Sequence, residues 1–236
     1  MAIAFDAFSS AATAANGTSL TFSHTCAGGT DNVLVAGGIT RSGSNPTGVT
    51  YNGTAMTFLQ AAGIAGFTGV TQWYLPNPAS GAHNIVVSIA SSTCISFGGI
   101  SLTGAATSPI GNFNAATGTG GANPNITVNS GNWGISQTGD NNSTPDGGSP
   151  GSPQTLRYNR YTTGGTNGHT GGATNDTDST TSWGSSFGSY AVAGVEILAP
   201  VSGPANVKTW DGLAIASVKT FNGLAKTSTK SVNGVT

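Results

Sequence analysis

The sequence predicts an all-β protein: an antiparallel β-sandwich, jelly-roll-like, followed by a short C-terminal tail of repeated β-hairpins. Three observations lead to this prediction. Of the 236 residues, 37 are Gly, whereas only seven are Lys or Arg and eight are Asp or Glu. Short runs rich in Val, Ile, Thr and aromatic residues follow one another, separated by turn residues. An Asp/Asn-Gly motif then recurs with a fixed period near the end of the chain.

This composition excludes several classes of protein. A net charge of −1 excludes disorder driven by charge repulsion. Seven basic residues neutralise too few phosphates for a nucleic-acid binder. The opening stretch MAIAFDAFSS has neither a basic region nor a long apolar run, so we expect no signal peptide, no membrane span and no membrane partner.

The predicted strands alternate with a period of two residues, as half-buried strands do. Asn52-Gly53 predicts a type I′ hairpin turn, because both turn positions need positive φ. Residues 1–16 fit either a short helix or an edge strand, and 115–123, 138–153 and 162–181 are predicted to be surface loops. The predicted strands are 19–22, 33–36, 48–51, 54–58, 70–75, 84–89, 94–97, 125–128, 132–135, 154–158 and 190–198.

Two prolines around a Ser-Gly step at 200–204 predict a linker, which divides the chain into a sandwich domain (1–200) and a tail (201–236). All four lysines lie in the tail. The tail repeats the pattern Lys-[Thr/Ser]-apolar-[Asp/Asn]-Gly-[Leu/Val] every 11 residues. Such a hairpin cannot bury its apolar residues alone, so we predict an attachment or oligomerisation element, with a disordered extension as the alternative. The assembly residues are predicted to be Trp210, Leu213, Phe221, Leu224 and Val232.

The sequence contains few residues suited to catalysis. It has no HExxH, CxxC, P-loop or GxSxG motif, so we expect neither an enzyme nor a cofactor. Asp140, Asp146, Asp176 and Asp178 are the weak candidates for a cation site, because Ca²⁺ prefers carboxylate oxygens. Their spacing does not match an EF-hand, and a glycosidase pair formed by Asp176 and Asp178 is less favoured than a solvated loop.

Several other side chains have two interpretations each. Cys26 and Cys94 are predicted to be small buried residues, with a single disulfide as the alternative. Glu196 is predicted to lie on a solvated strand face, or else to need Arg157 or Arg160 as a partner.

Aromatic residues in or beside predicted strands favour core packing over sugar stacking. These residues are Trp73, Tyr74, Trp133 and Trp183. A binding rim formed by Tyr158 and Tyr161 beside the two arginines is the less favoured interpretation of that segment.

Residues 48–82 and 154–198 resemble a β-sandwich module of tailed-bacteriophage and prophage structural proteins. The resemblance rests on GVTYNGTAMT at 48–57, WYLPNPASGAH at 73–83, and the later runs QTLRYNR and AVAGVEI. The 11-residue tail is similar to the C-terminal repeats of such proteins.

The resemblance implies a non-enzymatic virion component, assembled in the host cytoplasm: a capsid decoration, head-fibre or tail-fibre protein. Its implied partners are sister copies, with a homotrimer expected by analogy, and capsid or tail proteins. The alternative is a carbohydrate-binding or adhesin module that recognises a host-surface glycan with the help of Ca²⁺. A glycan-cleaving enzyme is a third, less favoured hypothesis.

Overall fold

The computed structural model describes most of the first 200 residues and four dipeptides of the tail. The described ranges are 2–41, 45–63, 69–122, 124, 126–140, 149–161, 169–176, 183–200, 209–210, 213–214, 220–221 and 224–225. Every strand pair in them is antiparallel, which confirms the predicted all-β class. Within these ranges, no helix is long and apolar enough to cross a membrane.

The first nine strands form two sheets. They are β1 (Ala4–Ala12), β2 (Gly17–Cys26), β3 (Asn32–Thr40), β4 (Gly48–Tyr51), β5 (Thr54–Ala55), β6 (Thr57–Ala61), β7 (Val70–Pro76), β8 (Gly81–Thr93) and β9 (Ile95–Thr103). Sheet I has the strand order β2-β8-β4-β5, and sheet II has the order β1-β9-β3-β7-β6.

The pairing of these strands is nested, as in a jelly roll. Strand β1 pairs with β9, β2 with β8, β3 with β7, and β4 with β5. Strands β5 and β6 are separated only by Met56, so this segment passes from sheet I to sheet II. The predicted antiparallel, jelly-roll-like sandwich is therefore confirmed.

A third sheet covers the other face of sheet II. Its strands are β10 (Ile110–Ala122), β11 (Trp133–Asp140), β12 (Ser149–Pro150), β13 (Thr155–Tyr161), β14 (His169–Asn175) and β15 (Trp183–Ile197). Sheet III has the order β10-β15-β11-β14-β13, and β12 pairs with β15.

The inner strands β3 and β9 of sheet II are thus buried on both faces. In β3, Leu34 and Ala36 pack with sheet I, whereas Val33 and Val35 pack with sheet III. All nine residues of β3 are buried. A strand covered on both faces needs no polar face, and all eight residues that follow Asn32 in its sequence NVLVAGGIT are apolar or small.

Two predicted loops prove to be strands, and those two predictions are wrong. Residues 115–122 belong to β10, and the polar stretch after Thr162 contains β14, all seven residues of which are buried. Strand β14 lacks Val and Ile because Gly171 and Gly172 lie against the rings of Trp183 and Tyr158, where larger side chains do not fit.

The other local predictions have mixed outcomes. Asn52 and Gly53 have φ values of 50° and 76°, which confirms the type I′ turn. The first 16 residues contain the edge strand β1, not a helix. In the predicted loop 138–153, residues 138–140 complete β11 and 149–150 form β12, while 141–148 lie outside the described residues. Of the predicted strand 125–128, only an isolated bridge at Thr127 is described.

Contacts divide the chain into two units, Met1–Ala199 and Pro200–Thr236. Two hairpins lie in the described residues of the second unit. One joins β16 (Thr209–Trp210) to β17 (Leu213–Ala214), and the other joins β18 (Thr220–Phe221) to β19 (Leu224–Ala225). Hairpins therefore form at both of the repeats that the structure describes.

Candidate functional site

The two tail hairpins share one register. Trp210 pairs with Leu213, and 11 residues later Phe221 pairs with Leu224. Four of the five predicted assembly residues therefore occupy equivalent cross-strand positions, and Val232 lies outside the described residues. Hairpins with two residues per strand are not stable in isolation, so the repeats need a surface to pack against.

Large apolar side chains are exposed at both sides of the sandwich where sheets II and III end. On one side, Phe8 of β1 is 51% exposed and Leu156 of β13 is 44% exposed. On the other side, Phe58 of β6 is 47% exposed and Phe113 of β10 is 50% exposed. Each of these strands is the last of its sheet in the described part of the chain.

The edge strand β10 lacks the usual protection against pairing with other chains. Soluble proteins commonly place charged residues or Pro on an edge strand. The 13-residue sequence of β10, IGNFNAATGTGGA, contains neither. A long edge of this kind favours association with another strand.

The four candidate metal ligands are not brought together in the described residues. Asp140 is buried, and its Oδ2 lies 3.3 Å from Nδ1 of His169 on the neighbouring strand. Asp176 is exposed, and Asp146 and Asp178 lie outside the described residues. In the described part of the chain, no three His, Cys, Asp or Glu residues form a group that could hold a metal ion.

Glu196 differs from both sequence-based interpretations, because it is buried and its carboxylate accepts hydrogen bonds from asparagines instead of pairing with Arg157 or Arg160. Its side chain is 1% exposed. Oε1 accepts hydrogen bonds from the backbone N–H and the side-chain amide of Asn129 and from the side chain of Asn132, at 2.7–2.8 Å. Oε2 accepts from the backbone and side chain of Asn112 at 3.2 and 3.0 Å. Both predictions for Glu196 are therefore wrong.

These hydrogen bonds determine the charge state of Glu196. Burial alone would raise its pKa, but the hydrogen bonds from Asn132, Asn129 and Asn112 outweigh burial, and the pKa is lowered from its usual value. The ionised carboxylate ties β15 to β10 and to the segment before β11. Its role is structural.

The aromatic residues mostly pack in the interior. Trp73 and Trp183 are buried, as predicted, and Tyr74 and Trp133 are half-buried. Tyr158 is also buried, so the binding rim that combines it with Tyr161 is wrong.

Arg157 and the two cysteines also have defined places. The Arg157 guanidinium stacks on the ring of Phe5 at 3.8 Å, and its Nε donates to Thr174 Oγ1 at 2.7 Å. Cys26 and Cys94 are buried and are not joined in a disulfide, as predicted.

A polar relay that the sequence did not reveal lies between sheets I and II. Ser9 Oγ is 2.8 Å from Nδ1 of His24, and Nε2 of His24 is 3.1 Å from Ser101 Oγ. Ser101 donates to Oδ2 of Asp6 at 2.7 Å, and this carboxylate also accepts the backbone N–H of Ala27 at 2.9 Å. His24 is buried, whereas Asp6 and Ser9 on the edge strand β1 are half-buried.

The donors in this relay can be assigned from the acceptor at its end. The Asp6 carboxylate only accepts, so the Ser101 hydroxyl donates to it and has lone pairs left for the His24 Nε2–H. The His24 Nδ1 is then an acceptor, and the Ser9 hydroxyl donates to it. Burial lowers the pKa of His24 to about 4 despite the opposing effect of Asp6, so the imidazole is neutral at pH 7.

Two more polar side chains adjoin the relay. Tyr51 donates to the backbone carbonyls of Ala79 and Gly81 at 3.1 and 2.9 Å, and its ring meets His24 edge-on. Burial raises the pKa of Tyr51 and of Cys26. Both groups are therefore neutral at pH 7.

The relay joins residues up to 95 positions apart, which explains why no sequence motif identifies it. The sequence does contain one indication that His24 has buried polar partners. His24 occupies an inward position in the alternation Leu20, Phe22, His24, Cys26, where a polar side chain needs buried partners.

Comparisons with known proteins identify no relatives: no protein-family model, no curated protein and no solved structure matches the chain significantly.

Proposed function

We propose that this chain is a non-enzymatic structural protein of a bacteriophage particle, a surface decoration or fibre component that attaches to the capsid or tail through its C-terminal repeats. The observation that carries the proposal is the shared register of the two tail hairpins, with a large apolar residue opposite Leu in each. The jelly roll supports it by analogy, because viral capsid domains use this architecture.

Attachment would use the repeats as a set of equivalent contacts. One hairpin buries too little apolar surface to attach the protein by itself. Once one repeat is bound, however, the other repeats on the same chain are held near the surface at a high effective concentration. The Asp/Asn-Gly motifs favour tight hairpin turns and recur every 11 residues, so the apolar residues around them recur at a constant spacing along the sequence of the tail. A matching surface on a capsid or tail protein would pair with these strands by main-chain hydrogen bonds.

Association of sister copies would use the exposed edges of the sandwich. The exposed Phe58 and Phe113, together with the charge-free strand β10, support a homo-oligomer, and a homotrimer is proposed. Covering these edges would remove half-exposed aromatic rings from water.

The tail can be tested with point variants of the full chain. We expect the double variant Trp210→Ser with Phe221→Ser to stay folded but to lose binding to the particle, because the first two of the three repeats lose their largest apolar side chains. The matched control, Thr209→Ser with Thr220→Ser, changes the neighbouring residue in the same two hairpins. Co-sedimentation with purified particles measures binding, and light scattering measures the molar mass against the 23.2 kDa of one chain.

The control variant should sediment with particles like the unchanged protein. Equal sedimentation of the Trp210/Phe221 variant would show that the repeats do not attach the protein. A single-chain molar mass for the unchanged protein would contradict the homotrimer but not the attachment.

A further inference from the structure

We propose that Ser9 is a reactive nucleophile, with His24 as its general base, and that it accepts acyl groups from small esters. This activity is independent of the proposed role in particle assembly. The relay described above supplies the parts that an activated serine needs: a hydroxyl donating to a neutral imidazole nitrogen, and a second hydrogen bond that orients the ring.

The order of the relay favours reaction at Ser9 over reaction at Ser101. The Ser101 hydroxyl donates to the Asp6 carboxylate and accepts from the Nε2–H of His24, so His24 cannot serve as a base for Ser101. The Ser9 hydroxyl points its proton at the one imidazole nitrogen that accepts. Ser9 is also half-buried on an edge strand, whereas Ser101 is buried.

Asp6 and Ser101 are positioning residues in this proposal. Together they hold the His24 proton on Nε2, as a buried carboxylate holds the tautomer of a catalytic histidine, although here a hydroxyl stands between carboxylate and ring. They also stabilise the imidazolium that forms when His24 takes the Ser9 proton.

The reaction balances within the residues described. Ser9 Oγ attacks the ester carbonyl carbon as its proton moves to His24 Nδ1. The C–O bond to the leaving alcohol breaks, and the alkoxide takes that proton from Nδ1, which leaves acyl-Ser9, free alcohol and neutral His24. Strand β1 is the outer strand of sheet II, and in this proposal backbone N–H groups on its outward side would donate to the oxyanion.

The test uses a fluorophosphonate probe on the full-length protein, with the modified residue identified by peptide mass spectrometry. The probe reacts by the same mechanism as an ester: the Ser9 oxygen forms a bond to phosphorus, and fluoride is the leaving group. We expect labelling at Ser9, with a rate reduced about 100-fold in His24→Gln, the size of effect that general-base catalysis usually contributes. Ser10→Ala, a change at the next residue of β1, should leave the rate unchanged.

The pH profile separates an activated serine from an ordinary one. Because the pKa of His24 is about 4, and burial raises the pKa values of the neighbouring Cys26 and Tyr51, we expect a rate that is flat between pH 6 and 8. An ordinary hydroxyl reacts through its alkoxide and would become about tenfold faster per pH unit. A rate that rises in this way, or labelling spread evenly over surface serines, would overturn the proposal.

A second variant tests the proposal even if His24→Gln fails to fold. Ser101→Ala keeps the Ser9–His24 contact but removes the group that fixes the imidazole proton on Nε2. We expect slower labelling and, at equal near-UV circular dichroism, an unchanged fold. Labelling of Ser101→Ala and His24→Gln at the rate of the unchanged protein would also overturn the proposal.

Discussion

Replacing Gly98 with Ala is expected to destabilise the protein by about 3 kcal/mol, the upper part of the range for overpacked cores. Gly98 lies in β9, an inner strand of sheet II, where Tyr158 of sheet III covers it. A Cβ at position 98 would come within 2.7 Å of three ring carbons of Tyr158. The clash is with a ring, not with the end of a flexible side chain, so the two sheets must separate.

The Tyr158 ring has little freedom to move away. Its hydroxyl accepts from Gln137 Nε2 at 2.9 Å, and Gln137 also donates to the Gly98 carbonyl at 3.3 Å. On its other side the ring lies against Gly172, where an added Cβ would overlap it as well. Movement of the ring would therefore break a buried hydrogen bond or create a second clash.

Chemical denaturation of Gly98→Ala beside Gly48→Ala measures this effect. Gly48 also lies in a strand, β4, but an added Cβ meets nothing within 4 Å there. We expect the control to be neutral or more stable by about 0.5 kcal/mol, because Ala restricts the unfolded chain. Equal stability of the two variants would show that Tyr158 does not pack on Gly98.

Replacing Glu196 with Gln is expected to cost about 3 kcal/mol, because a buried charge-assisted network loses its acceptor. Both carboxylate oxygens accept hydrogen bonds from N–H groups of Asn112, Asn129 and Asn132. In Gln, an NH₂ group, which is itself a donor, replaces one of these oxygens. At that position the NH₂ group would face N–H groups of the asparagines inside a buried site. Asp176→Asn, the same chemical change at an exposed carboxyl, should alter stability by less than about 0.5 kcal/mol.

The pH dependence gives an independent check on Glu196. Its pKa is lower in the folded than in the unfolded state, so its contribution is complete above the unfolded pKa of about 4.3 and is lost as pH falls through the folded pKa. The stability difference between the unchanged protein and Glu196→Gln should therefore shrink below about pH 4. A difference that stays constant from pH 7 to pH 3 would contradict an ionised, hydrogen-bonded Glu196.

The features that were predictable from the sequence are those set by local chemistry. The alternation in β2 and β8 predicts a sheet with one buried face. Asn52-Gly53 predicts a type I′ turn, because Asn and Gly adopt the positive φ values that both turn positions require. The tail hairpins follow from the same turn chemistry repeated in register.

The features that were missed depend on long-range packing. The sequence of β14 resembles a loop because Gly171 and Gly172 lie against the rings of Trp183 and Tyr158, where residues of higher strand propensity do not fit. The partners of Glu196 lie 64–84 residues away, so no spacing rule identifies them. The abundance of glycine thus has two causes: tight turns, and close approach of aromatic rings to the buried sheets.

The central claim, a particle component attached by its tail repeats, is tested most directly by mass spectrometry of purified particles from cells that produce the protein. Particles assembled with the unchanged chain should contain it at many copies each, and particles assembled with the Trp210→Ser, Phe221→Ser variant should lack it, at equal amounts of folded protein in the lysate. Absence of the unchanged chain from the particles, or equal incorporation of the variant, would contradict the account.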